Sequence, residues 1–364
     1  MAPPGLSSPS LLAGPVRLAR DHYGDFNPAS VKIHPFKRLA ARISRRVPRA
    51  WRFRLFGLPP RALPAPPGAL SALGNLSSLR PGIAAHLGAH LRADGAYLPE
   101  FTPGAGPFIE SRFLQKQRCL PRVRFFPGSV ISLASDGASN YYRWLLETLP
   151  RLRQIRQSGA VYQGIYASQK RPFQRETLRL LGCDPACILP SETNPFLRAR
   201  EILVPRFVDE AEPWIVPWLR DQFLPLVPPA DLASSPRRLY ITRRCASGRR
   251  LLNEAELLAQ LAPRGFTAIA LEDRPWLEQV ALFRQAEIII GPHGAGLANL
   301  VFCSPGALVL ELIAETYPFT FFPEICRQVD AAHHPLLCAP ALPHEIRRSD
   351  LLVPIPQLLR LLPS

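Results

Sequence analysis

Residues 286–313 read AEIIIGPHGAGLANLVFCSPGALVLELI, and this stretch decides the fold. Glu287–Ile290 is a short apolar, β-branched run, the pattern of a buried strand. Gly291 to Gly296 then interrupts it with Gly, Pro and His. A short helix follows, and Ser304-Pro305-Gly306 turns the chain into a second apolar strand over 307–313 that carries Glu311. A strand that stops at a glycine turn and restarts as a helix gathers unpaired backbone N–H groups at one point. With the positive end of the helix dipole they form an anion seat, and phosphate is the expected guest. The glycines fall at the first, fourth and sixth positions of the loop, so it is neither the G-x-G-x-x-G dinucleotide loop nor a Walker loop.

Upstream of this stretch the same half alternates regularly. Arg238–Thr242 reads as a strand, Asn253–Ala262 as a helix, Thr267–Leu271 as a strand, and Pro275–Ala286 as a helix with Pro in its first turn. Strands alternating with helices predict an α/β sheet built from right-handed crossovers. Arg243, Arg244, Arg249 and Arg250 follow the first strand, where open α/β sheets bind ligands. Arginine there suits bidentate contact with phosphate. His293 in the glycine loop is read as a hydrogen-bond donor to phosphate or to a hydroxyl, against the plainer reading of a structural histidine.

The first half is less regular. A strand is expected over 128–135, a helix over 140–157 with Asn140 as its N-cap, a strand near 162–167, a helix near 171–181 and a strand near 200–204. Asn140, Arg143 and Glu147 share one face of the expected helix, with Trp144, Leu145 and Leu149 on the apolar side. The plain reading of Arg143 and Glu147 is a surface ion pair. The functional reading puts them in an interdomain cleft, with Glu147 accepting a proton. Five prolines between 213 and 229 mark the junction, placed at 213–236. Over 350–362 a closing helix is expected, confined by Pro354 and Pro356 to the last few residues.

Composition sets the bounds. The 364 residues are 47 % hydrophobic, enough for a sizeable core and about two domains. The net charge of +16 favours anionic partners: phosphates, acidic polymers or a membrane surface. The high Arg, Pro and Ala content allows a second reading, compositional bias. Residues 1–70 are rich in Pro, Ala and Arg, with a basic cluster from Lys37 to Arg54, and are read as an arm that meets an anionic surface or as a solvated linker. The seven cysteines are odd in number and contain no CxxC pair, so a reducing cytoplasm and no zinc site are expected. The Asn75-Leu76-Ser77 triplet is read as chance. No secretory signal is predicted from the N-terminal residues, and the apolar run from Ile288 is too broken to be a membrane span. A nucleic-acid partner is not expected, since no basic-aromatic motif supports it.

Three segments together carry a resemblance: NYYRWLLETLPRL at 140–152, RLYITRRCASGRRLLNEAELLAQLAPRGF at 238–266, and EQVALFRQAEIIIGPHGAGLANLVFCSPGALVLEL at 278–312. Over about 130–315 the chain resembles glycosyltransferase family 61. The resemblance implies a GT-B-like α/β fold, two Rossmann-like domains facing a central cleft. The expected boundaries are 1–70 for the arm, 71–225 for the acceptor-side domain, 226–345 for the nucleotide-sugar domain and 346–364 for a closing segment. It further implies inverting sugar transfer from a nucleotide sugar, expected to be UDP-linked, without cofactor or obligatory metal. The acceptor is a saccharide or lipid-linked saccharide in surface (capsular or lipopolysaccharide-type) polysaccharide synthesis. A cytoplasmic place, with peripheral contact at the inner membrane face, goes with that. By position, Arg243 and Arg249 or Arg250 would hold the diphosphate, and His293, Gly294, Ala295, Gly296 and Asn299 would form its seat. Glu311 would reach the ribose, and Asn140 and Arg143 would line the acceptor side, with Glu147 and His293 catalytic. The family usually has His where this chain has Arg143. Arg is protonated at any relevant pH and is no base, which leaves Glu147 as the better one. Two alternatives stay open: an inactive binding protein of the same fold, and a nucleotide-sugar oxidoreductase or epimerase.

Overall fold

The structure is a computed structural model describing residues 71–73, 76–85, 88–92, 123–244, 246–317, 321–342, 344 and 348–363. The expected arm over 1–70 and Asn75 lie outside the described residues. Everything below belongs to the compact unit Arg52–Ser364.

The chain forms two sheets. The first contains β1 (Ser71–Leu73), β2 (Leu76–Leu79), β3 (Gly82–Ala85), β4 (His90–Arg92), β5 (Arg124–Ser132), β6 (Gly164–Ala167), β7 (Ile188–Pro190) and β8 (Phe196–Pro205). Its parallel centre runs β8-β5-β6-β7. β2 and β3 add antiparallel to the free side of β8. Two strands, β6 and β7, step one way from β5, and β8 then returns to the opposite side of β5. The crevice of this sheet therefore opens at the carboxyl ends of β5 and β8.

The second sheet contains β9 (Arg238–Ile241), β10 (Thr267–Ile269), β11 (Ile288–Pro292), β12 (Leu308–Ala314), β13 (Ala332–Pro340) and β14 (Leu351–Leu352), ordered β10-β9-β11-β12-β13-β14. The first five are parallel and β14 closes the edge antiparallel. In chain order this is the 2-1-3-4-5 doubly wound arrangement, whose ligand crevice lies outside the carboxyl ends of its first and third strands, β9 and β11. β11 is buried at every residue, as a central parallel strand covered on both faces must be.

Among the described residues the helices, α1 to α9 in chain order, follow the expected spans at Pro172–Leu180, Glu254–Leu261 and Trp276–Gln285, while Ile215–Phe223, Pro229–Ser234 and Phe322–Gln328 were not expected from sequence. The stretch 140–157, read as one helix, is broken. It begins as one α-turn, α1 (Tyr141–Arg143), passes into a π-turn over Trp144–Thr148, and breaks at Leu149-Pro150 before α2 (Arg151–Ser158). Pro150 has no N–H to donate and its ring crowds the preceding turn, so the ladder cannot run through it. The helix after the glycine loop is a 3-10 helix, Ala295–Phe302. Pro356 sits in the first turn of the closing helix, Ile355–Arg360, where its missing N–H costs nothing. Strand β13, AHHPLLCAP, was not expected from sequence, since Pro335 and the paired histidines spoil its apolar pattern.

One apolar core runs through both halves. At its centre the Trp276 ring meets Phe223 at 4.6 Å and Phe302 at 5.7 Å, both edge-on. Such pairs contribute about 0.5–1.5 kcal/mol each beyond buried area. Phe223 lies in α4 (Ile215–Phe223), inside the Pro-rich junction. This helix is packed into the core, so the junction is no loose linker.

Candidate functional site

At the crevice of the second sheet, the segments after β9 and β11 meet. Arg243 follows β9 and lies across Gly294, which follows β11. A Cβ placed on Gly294 would stand 2.1 Å from Arg243 Nη1, so only glycine admits the guanidinium there. Gly294 itself has φ 172, ordinary extended backbone, so the close approach alone requires glycine. Arg243 Nη2 donates to the Gly248 carbonyl at 3.2 Å, and its buried Nε has no partner. Burial, aided by the neighbouring Arg249 charge, pushes the Arg243 guanidinium down to about 10. Among the described residues neither guanidinium forms an ion pair, and the Glu272 charge opposes the shift without reversing it, so the two cations held together favour a polyanionic guest.

Arg249 has a left-handed backbone, φ 57, which costs a non-glycine residue about 1–2 kcal/mol. Its N–H donates to the Arg348 carbonyl at 3.2 Å, and its guanidinium lies 5.6 Å from the Tyr317 ring centre. Arg250 turns the other way. It forms an exposed ion pair with Asp350, 2.8 Å from Nη2 to Oδ2. Of the two arginines expected at the diphosphate, Arg249 faces the crevice and Arg250 does not. Arg244 likewise lies outside, paired with Asp273 at 3.0 Å.

His293 lies under the same loop, 3 % exposed, its ring 4.4 Å from Tyr317 and 5.2 Å from Phe322. Its Nδ1–H donates to Glu311 Oε1, and His333 Nε2–H donates to Glu311 Oε2 at 2.8 Å. Glu311, expected at the ribose, is 1 % exposed and has a histidine on each carboxylate oxygen. It stands mid-strand in β12, behind His293 rather than in the crevice. Burial pushes its carboxyl up, but the two histidine hydrogen bonds and their charge outweigh that and hold it below the usual carboxylate range. With Nδ1 committed to a carboxylate, Nε2 is the His293 nitrogen left for a substrate.

The 3-10 helix is fixed from several sides. Asn299 is fully buried; its Oδ1 accepts from the Tyr141 hydroxyl and its Nδ2 donates to Gln279 Oε1 at 3.1 Å. Trp276 Nε1 donates to the same Tyr141 hydroxyl at 2.8 Å. Asn299 therefore ties the loop to α1 and is no direct donor contact. Arg220, from α4, donates to the carbonyls of Val301 and Cys303 at 2.8 and 2.7 Å, capping the far end. Gly296 packs on Leu271, where a Cβ would stand 2.8 Å from its Cδ1. Ala295 opens the helix and is half-buried.

The crevice of the first sheet collects the other polar group. Asn140 caps α1, its side chain accepting from Arg143 N at 3.3 Å. Arg143 lies flat on Gly137, where a Cβ would come within 2.5 Å of Nε, and that Nε donates to both Glu147 oxygens at 3.0 Å. Glu147 is 5 % exposed, and burial raises its carboxyl above the usual range although Arg143 and Arg151 oppose this. Glu210, after β8, is raised by burial and by the Glu147 charge. Tyr142 lies against both crevices: its hydroxyl is raised by burial and by Glu210, Glu147 and Asp209, and its ring packs on Phe321 and Phe322 at 5.4 and 5.9 Å. Phe322 also touches His293, so one aromatic layer separates the histidine from the acid cluster.

Sequence reasoning missed Tyr317, His333, Asp209, Glu210 and Arg151. Arg151 lies inside the 140–152 stretch but was given no role; the others stand in no motif, and each is brought in by a loop or strand following an element whose position the sequence alone does not give. Beside the crevice, at the carboxyl ends of β9 and β10, a cavity of about 200 Å³ is lined by Thr242, Arg244, Glu254, Ala268, Ala270 and Asp273. Among the described residues, no helix is long and apolar enough to cross a membrane.

Residues 141–310 match the family model described as Glycosyltransferase 61. Among curated proteins, the chain is 39 % identical over 79 residues to the EGF domain-specific O-linked N-acetylglucosamine transferase of Drosophila melanogaster, a match covering 21 % of this chain and 15 % of that protein. It is 35 % identical over 79 residues to the protein O-linked-mannose beta-1,4-N-acetylglucosaminyltransferase 2 of Mus musculus, covering 21 % and 13 %. The Takifugu rubripes protein of that name is 36 % identical over 93 residues, covering 24 % and 15 %. The chain thus spans about a seventh of the length of the relatives it matches.

Proposed function

We propose, from the match of residues 141–310 to the glycosyltransferase 61 family model, that this chain transfers a sugar from a nucleotide-sugar donor to a saccharide hydroxyl. The observation that carries the reading is Arg243 lying across Gly294 at the β9/β11 crevice, with Arg249 beside it. A diphosphate needs two converging cations and a close backbone approach, and this crevice supplies both.

The reaction we infer is a single displacement in a GT-B-like cleft. As the acceptor oxygen bonds to the anomeric carbon, its proton passes to Glu147. The bond from that carbon to the diphosphate breaks on the opposite face, and its electron pair leaves with the nucleoside diphosphate. Arg243, Arg249 and the loop amides stabilise the charge that develops there, and His293 Nε2 bonds the phosphate or a donor hydroxyl. A buried carboxyl raised above its usual range suits the base, since it titrates nearer neutral pH. With Glu311 behind His293, the neighbouring cavity at β9 and β10 is the better place for the nucleoside. The donor we expect is UDP-linked, a reading in keeping with the N-acetylglucosaminyltransferase names of the relatives. A saccharide of a surface polysaccharide as acceptor and a cytoplasmic place complete it. Peripheral membrane contact would rest on the basic arm, which lies outside the described residues.

A thermal-shift screen against UDP-, GDP-, CMP- and dTDP-sugars tests the donor site, because a ligand of the native state raises apparent stability. Arg243→Ala should abolish the shift; an unchanged shift removes the diphosphate assignment. Product analysis by mass spectrometry then reads transfer or donor hydrolysis.

A further inference from the structure

The first half holds a second cavity that the reaction above does not use. It measures about 180 Å³ and is lined by Arg153, Gln154 and Gln157 of α2 and by Arg206 and Trp214 of the segment after β8. That volume equals roughly six waters, room for one sugar ring. Gln154 is 4 % exposed, and both its amide nitrogen and its amide oxygen are buried without a hydrogen-bond partner. An unsatisfied buried amide costs about 1–3 kcal/mol for each stranded group, so the position is expensive for the fold alone.

The cavity walls are charged and held in place. The Arg153 guanidinium stands 4.6 Å from the Trp214 ring centre. Arg206 pairs with Glu212 at 3.1 Å, and Trp214 Nε1 donates to the same carboxylate at 2.6 Å. Arg206 is paired with Glu212 while Arg153 lies on the Trp214 ring, so the wall keeps a net positive charge beside an amide able both to donate and to accept. Glu147, Arg151 and Gln154, spaced four and three apart, form a buried polar stripe, and Arg151 Nε on it is also unpartnered.

We propose that this cavity is an acceptor subsite for a carboxylate-bearing sugar, a uronate unit lying beyond the sugar whose hydroxyl is attacked. The carboxylate meets Arg153 and Arg206, Trp214 walls the ring, and the buried Gln154 amide turns into the cavity to bond a ring hydroxyl. The inference rests on the glycosyl-transfer reading for its direction, since it places the acceptor chain along α2 away from Glu147. Its test does not depend on turnover.

Saturation-transfer difference NMR on the full chain, with glucuronate, glucose and inorganic phosphate as separate probes, reads the site directly. Glucuronate should bind, and Gln154→Leu and Arg153→Ala should each weaken it tenfold or more. Gln154→Leu should at the same time raise Tm, since it replaces an unsatisfied amide by an apolar group of similar size. A merely structural glutamine would lower Tm and leave binding unchanged. Both variants should keep the nucleotide-sugar thermal shift of the parent. Absence of glucuronate binding with that shift intact overturns the subsite and leaves the transferase reading standing; loss of the shift in the parent overturns the latter alone. Glucose binding as well as glucuronate removes the anionic specificity, and phosphate binding without glucuronate makes the cavity a plain anion hole.

Discussion

The two crevices are built alike and charged differently. In each, an arginine lies across a glycine whose Cβ would displace it: Arg143 on Gly137 in the first sheet, Arg243 on Gly294 in the second. In the first the arginine ends on a carboxylate, Glu147, with Asp209 and Glu210 close by. In the second its nearest charge is another cation, Arg249, the Glu272 carboxylate acts on it without an ion pair, and its Nε has no partner. Neutralised cations organise an acid; unneutralised ones await an anion. On the proposed reaction, the difference separates the side that moves a proton from the side that receives a leaving group.

The comparison breaks first at Glu147. Glu147→Gln should lower kcat by about 10²–10⁴-fold, the usual contribution of a general base, while the donor-dependent thermal shift stays. The parent should show an acidic limb in kcat above the ordinary carboxylate range, because burial raises this group, and the variant should lose that limb. Stability carries the same signature. A carboxyl raised in the folded state binds protons there that the unfolded chain has released, so stability falls as pH rises through the window between the two values. Melting curves between pH 4 and 8 should be flatter in the variant.

Gly294→Ala is the mirror experiment. Its backbone is ordinary, so the chain should fold, but the added carbon takes the place of Arg243 Nη1. Donor affinity should fall by about 100-fold, as the loss of a charge-assisted phosphate contact worth about 3 kcal/mol implies. Retained affinity would mean that Arg243 does not carry the phosphate.

Glu311→Gln sharpens the second crevice. As the residue that orients His293, it should act as partners behind an active histidine do, costing about 10–100-fold in kcat with donor KM unchanged. A matching rise in donor KM would instead return Glu311 to the nucleoside. The sign of its stability effect is opposite to that of Glu147. Its carboxyl is lowered in the folded state, so its contribution is complete above the ordinary carboxylate range and is lost as pH falls through the lowered value.

The second crevice was the more legible in sequence. Its anion seat, its arginines and the strand–loop–helix order all lie within local motifs, and apolar parallel strands such as β11 announce themselves. What side chains do across elements was not legible. Asn299 looked like part of the seat, yet it is spent on Tyr141 and Gln279, partners 158 and 20 residues away. Glu311 looked like a strand-end acid because β13, with its His333, carried no readable strand pattern. In the first crevice only the Asn140–Glu147 stretch could be read. Asp209, Glu210 and Arg206 follow β8, and their place depends on β8 crossing back beside β5, a topological fact with no local signature.

The smallest expected effect separates neighbours that sequence could not tell apart. Arg249 and Arg250 are adjacent, and spacing alone allowed either to hold the diphosphate. The left-handed backbone at Arg249 throws the two side chains to opposite sides, one towards Tyr317 and Arg243, the other out to Asp350. Arg249→Ala should weaken the nucleotide-sugar thermal shift measurably. Arg250→Ala removes only an exposed ion pair and should leave both that shift and Tm within error of the parent. Equal effects would show that the loop rearranges when donor binds, and that the crevice draws on both arginines.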